Sequence, residues 1–87
     1  MPEICSFNGI SIRMHYGDRR PPHKHDFYAG HEAIVALTGR LLAGHLPARV
    51  GSQVRRWCRA RQTELDRAWG RASQCQPIER IEPLETR

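Results

Sequence analysis

The chain has 87 residues, of which 39% are hydrophobic and 26% charged, with a formal net charge of +5, a pI near 9.9 and a mean hydropathy of -0.64. That length allows one domain with a thin core, so a partner or a second copy of the chain is an open source of extra stability. It excludes a multidomain architecture, and no apolar run comes near membrane-spanning length.

The first strand-like run covers residues 3–7. Asn8-Gly9 follows it, and then Ile10, Ile12, Met14 and Tyr16 alternate with Ser11, Arg13 and His15. A period of two marks a half-buried strand, and Asn-Gly between two such runs is a strong hairpin signal. Strands are therefore expected over 3–7 and 10–16, with Ser11, Arg13 and His15 on a polar face. Residues 17–22 form a basic loop that ends in Pro21-Pro22, whose fixed φ angles send the chain out stiff and extended. A third strand is expected over 23–29, a fourth over 32–37 after Gly30-His31, and a fifth over 41–43 after Thr38-Gly39.

The chain changes character at Pro47. On a helical wheel Val50, Val54, Trp57, Cys58, Leu65, Trp69 and Ala72 share one face, and Arg49, Arg55, Arg56, Arg59, Arg67 and Arg71 share the other. Arg61 falls within the apolar stripe. Thr63-Glu64-Leu65-Asp66 has the form of a capping box, so two helices, 47–61 and 64–75, are expected, with Thr63 as the second N-cap. In the tail, Ile78, Ile81 and Leu84 recur every three residues beside Glu79, Glu82 and Glu85. That pattern suits an extended segment laid over the body with its acids near the helical arginines, or a frayed end. The expected architecture is α+β: an antiparallel meander of three to five strands over 1–46, two helices over 47–75 and an extended tail over 76–87.

Cys5, Cys58 and Cys75 include no C-x-x-C pair, which excludes a zinc knuckle and a thioredoxin motif. An odd count, together with a start that lacks the signature of a secretory leader, leads to the expectation of free thiols in a cytoplasmic protein. Lys24 is the only lysine among 14 basic residues. So strong an arginine bias suits phosphate or carboxylate recognition, and equally a genome rich in G and C.

The chemistry concentrates at His23 and His25. Two residues apart on a strand, both side chains leave one face about 7 Å apart at the backbone. Paired imidazoles can serve as general base and general acid. Arg13, Arg19 and Arg20 are the nearby candidates for holding a phosphate, which would suit metal-free cleavage of RNA. No metal or cofactor is assigned, because H-x-H supplies two ligands and a catalytic zinc site needs a third, for which His15, His31 and Asp26 are the candidates. The other reading of the pair is structural, as strand histidines that hydrogen-bond to backbone. Arg55, Arg56 and Arg59 form a separate basic face for an acidic partner or nucleic acid, although Glu64 and Asp66 interrupt it. Trp57 and Trp69, on the apolar face, are read as core.

Met1-Pro2-Glu3-Ile4, Ile12-Arg13-Met14, Pro21-Pro22-His23-Lys24-His25, Thr38-Gly39, Leu46-Pro47, Trp57, Leu65, Trp69 and Ile81-Glu82-Pro83-Leu84 together resemble a bacterial domain family, domain of unknown function 4160. The family's usual segment is P-P-H-F-H-V. Lys24 and Asp26 stand where that pattern has an aromatic and an aliphatic residue, which predicts a wetter face opposite the histidines. The resemblance implies membership of a two-gene unit of the toxin–antitoxin kind, with a small protein partner encoded nearby. It implies no established activity for His23 or His25.

Overall fold

The computed structural model describes residues 2–84, so Glu85 of the tail lies outside the described residues. Five strands, β1 (Glu3–Phe7), β2 (Ile10–Arg13), β3 (His23–Tyr28), β4 (His31–Ala36) and β5 (Leu41–Gly44), precede two helices, α1 (Ala48–Ala60) and α2 (Gln62–Ser73). The strands form one antiparallel sheet in sequence order, a meander with β3 at its centre. The fold is α+β, as the periodicities predict.

Asn8 and Gly9 both take positive φ, 51° and 78°, which is how a two-residue turn matches the twist of the strands it joins. β2 is shorter than expected, ending at Arg13 instead of running to residue 16. Beyond Met14 the chain turns at Gly17, whose φ is 63° and whose amide donates to the Ala72 carbonyl at 2.9 Å, so the β2–β3 loop is tied to the end of α2.

One face of the sheet, with Ile10, Ile12, Ala33 and Val35, meets Val50, Val54, Trp57, Leu65, Ala68 and Ala72 of the helices in a single core. Both tryptophans are buried. Thr63 is not an N-cap. Arg61 ends α1 and begins α2 in one residue, with φ −121° and ψ 27°, and Thr63 lies inside the second helix. The Arg61 amide still donates to Trp57 and its carbonyl accepts from Leu65, so the helices bend without a linker that would need a side-chain cap. Gln62 fastens the bend by donating to the Leu37 carbonyl at 2.6 Å and the Cys58 carbonyl at 2.9 Å.

The tail explains why an arginine interrupts the apolar stripe. Trp57 Nε1 and Arg61 Nε both donate to the Glu82 carbonyl, at 2.8 and 3.1 Å, and Arg61 also reaches the Pro83 carbonyl. Ile81 is buried and donates to Ile4 of β1 at 2.7 Å. In these bonds the arginine meets backbone carbonyls of the tail rather than its carboxylates.

Candidate functional site

Alternation divides β3 into two ionisable faces. Lys24 and Asp26 point into the core, His23 and His25 point the other way. The inward face is dry, not wet: Lys24 and Asp26 are both 0% exposed and form an ion pair at 2.7 Å. Lys24 Nζ also lies 5.8 Å from the Trp57 ring centroid, while Asp26 Oδ1 is buried with no hydrogen-bond partner among the described residues. Burial, the largest influence, raises the Asp26 carboxyl above its usual range against the pull of Lys24 and His25.

On the outward face the register pairs Arg13 with His25, so the chain leaving β2 brings His15 to the same end of the sheet. The His15 and His25 ring centroids are 4.3 Å apart, and those of His23 and His25 are 5.3 Å apart. Asp18, from the loop, enters between them. Its Oδ2 lies 2.8 Å from His23 Nε2 and 3.4 Å from His25 Nε2, and its Oδ1 accepts the Arg19 amide at 2.8 Å. Burial acts to raise the Asp18 carboxyl, but the Arg19 amide and the two histidines outweigh it and hold the group below its usual value.

His23 is firmly held. Its Nδ1 lies 2.7 Å from the Pro21 carbonyl, and its ring centroid is 5.6 Å from that of Trp69 in α2. Each ring nitrogen thus faces an oxygen acceptor. His25 is held on one side only. Its Nδ1 is buried without a hydrogen-bond partner among the described residues, and the nearest carboxylate oxygen recorded there is Glu32 Oε2 at 3.9 Å.

The remaining sequence candidates fall in different places. Arg13 donates to Ser11 Oγ at 3.0 Å and lies over the Phe27 ring, 4.6 Å from its centroid, on the strand beside His25. Arg19 and Arg20 are exposed in the loop next to Asp18. Arg55, Arg56 and Arg59 stand exposed on α1, where Arg55 lines a groove with Gly39, Leu41 and Leu46. Of the candidate third ligands only His15 joins the pair. Asp26 faces the core, as alternation from His25 requires, and His31 pairs with His45 at 5.2 Å between ring centroids. Cys5 and Cys58 are buried, and burial pushes both thiols up, which makes them poor nucleophiles.

Asp18 is the residue that the sequence reading did not single out. Folding the runs 10–16 and 23–29 about the loop between them sets His15 opposite His23, and that closes the loop bearing Asp18 over the same end of the sheet.

Together these features define a small α+β domain with a histidine–aspartate cluster at one end of an antiparallel sheet. The chain belongs to the family described as Domain of unknown function (DUF4160), whose profile matches residues 9–70 and so spans β2 to most of α2. No curated protein and no solved structure matches the chain. Among the described residues no helix is long and apolar enough to cross a membrane.

Proposed function

We propose that this chain is the toxin-like component of a two-gene module, working in the cytoplasm beside a small partner protein and acting on RNA through the cluster of His15, Asp18, His23 and His25. The observation that carries the reading is the convergence of three imidazoles on one carboxylate next to the arginine-bearing loop. His25, the less constrained ring, takes the proton of a ribose 2′-hydroxyl as that oxygen attacks the adjacent phosphorus. His23, placed between Asp18 and the Pro21 carbonyl, supplies a proton to the departing 5′-oxygen. Arg19 and Arg20, together with Arg13 of β2, hold the phosphate and offset its developing charge.

The test is growth of a bacterial host after induction of the chain, beside the His23→Gln/His25→Gln variant at matched soluble expression, followed by RNA integrity in both cultures. Arrest and RNA loss with the wild type alone is the expected result. Equal arrest by both proteins removes the histidines from the mechanism.

A second reading rests on α1, which carries Arg49, Arg55, Arg56 and Arg59 and no acidic residue. Such a face suits docking of an acidic protein or nucleic acid without catalysis. It predicts salt-sensitive association that is lost on joint replacement of Arg55, Arg56 and Arg59.

A further inference from the structure

We infer that His15, Asp18 and His25 form a three-ligand site for a divalent transition cation of the zinc type. One candidate ligand atom from each residue lies within 4.8 Å of the other two, and all three side chains are half-buried. A tetrahedral ion with bonds of about 2.0–2.1 Å needs ligand atoms roughly 3.3 Å apart, so the cluster has to close by about 1.5 Å at its widest. His15 sits outside the regular strands and is the group that can make that movement, since Asp18 is held by His23 and the Arg19 amide.

Two nitrogens and one carboxylate oxygen make a borderline donor set, suited to zinc and its neighbours rather than to calcium or magnesium. With three protein ligands, the fourth position is left for water or substrate, which is the arrangement of a catalytic zinc site and not of a structural one.

The outer shell is what separates this cluster from a chance meeting of polar groups. Metal-bound carboxylates and imidazoles are ordinarily held by a second layer of hydrogen bonds. Asp18 already accepts from His23 Nε2 and from the Arg19 amide, which fixes its plane. His23 is in turn fixed by the Pro21 carbonyl. His25 directs Nε2 towards Asp18 and leaves Nδ1 buried without a partner among the described residues, 3.9 Å from Glu32 Oε2. A metal-bound imidazole donates its other N–H to a carboxylate, and Glu32 needs only a small side-chain adjustment to accept it. The otherwise unexplained polar atom thus acquires a role. Arg13, Arg19 and Arg20 are the opposing charges near the site, and the two carboxylates of Asp18 and Glu32 offset part of their charge.

This inference stands on the cluster's geometry and concerns the same site as the RNA reading. With a cation bound, His25 is a ligand, and the base of any hydrolytic step becomes water in the open position. Metal binding without an effect on RNA would remove the proposed function and leave the site intact. RNA cleavage by chain that holds no metal would do the reverse.

The experiment is a titration of the purified full chain with Zn²⁺ by calorimetry and with Co²⁺ by visible absorption, using His15→Gln, Asp18→Asn, Glu32→Gln and a His31→Gln/His45→Gln control. Circular dichroism of each variant verifies the fold. One ion per chain is expected, with tetrahedral cobalt bands. His15→Gln and Asp18→Asn abolish binding, and Glu32→Gln weakens it by about 10-fold or more, as loss of an outer-shell partner does. The control binds as the wild type does. The inference is overturned if the folded wild type takes up no stoichiometric ion. It is equally overturned if folded His15→Gln and Asp18→Asn bind as well as wild type, or if the control pair alone removes binding.

Discussion

Replacing Lys24 and Asp26 separately and together probes the least ordinary feature of the core. Both side chains are fully buried on the central strand, and their 2.7 Å ion pair leaves Asp26 Oδ1 without a hydrogen-bond partner among the described residues. Removing one member of a buried pair strands the other charge and costs about 3–5 kcal/mol. A domain of this size has a total stability of roughly 4–13 kcal/mol. Lys24→Met or Asp26→Val alone should therefore remove a large share of that stability. The double replacement removes both charges and the orphaned oxygen, and Val suits a strand. It should lie between wild-type stability and about 4 kcal/mol above it. Urea unfolding of the four proteins measures this directly. With a slope on the order of 1 kcal/mol per M, each single variant loses about 3 M or more in midpoint, and the double variant recovers all of it. A double variant as unstable as the singles would refute the argument that desolvation outweighs the pair's attraction.

Two further expectations follow from single residues. Gly44 has φ 82°, and a Cβ there would collide with the Glu32 carbonyl oxygen and fall 2.9 Å from Ala33 Cα, both rigid backbone of β4. Gly44→Ala should cost about 2–5 kcal/mol, combining left-handed strain with overpacking, and a thermal midpoint unchanged from wild type would contradict the register of β5. Asp18 titrates below its usual value when folded, so its contribution is complete above the unfolded value of about 3.9 and fades as pH falls through the lower folded value. Stability profiles of wild type and Asp18→Asn should thus converge only on the acid side of pH ~3.9. Glu3, also lowered, chiefly by the Ser11 hydroxyl and then by Arg80, acts in both proteins and cancels in the difference.

The fold was legible because its signals are local. Alternation from Ile10 to Met14, Asn8-Gly9 at the first turn and the apolar face of Val50, Val54 and Trp57 each act within a few residues. What escaped the sequence depends on contacts between distant segments. Arg61 looked misplaced because its partners, the Glu82 and Pro83 carbonyls, lie more than twenty residues away. Thr63 looked like a cap because the motif is common, whereas the bend at Arg61 keeps the backbone bonded across the junction. His23 and His25 could be found by spacing alone. Asp18 could not, since a lone aspartate in a basic loop acquires meaning only when β2 and β3 pair. Lys24 and Asp26 were expected to wet their face; instead α1 covers them, and Trp57 closes over the ammonium.

The buried pair and the histidine cluster sit on opposite faces of one strand, which raises the question of whether the pair serves the site. Four consecutive ionisable residues, His23 to Asp26, begin the central strand, where apolar side chains would be more stable. Asp26 senses His25, because the charge on that ring acts to lower the Asp26 carboxyl. Burial raises Asp26, so the folded protein keeps that proton to a higher pH than the unfolded chain does. The group's contribution to stability is then complete below pH ~3.9 and declines as pH rises through its raised folded value. If the pair tunes the site, the Lys24→Met/Asp26→Val protein should gain stability and lose that decline, while the pH midpoint of its Co²⁺ binding, which follows imidazole deprotonation, shifts from wild type. An unchanged midpoint in a folded double variant would confine the pair to the core, with no part in what the histidines do.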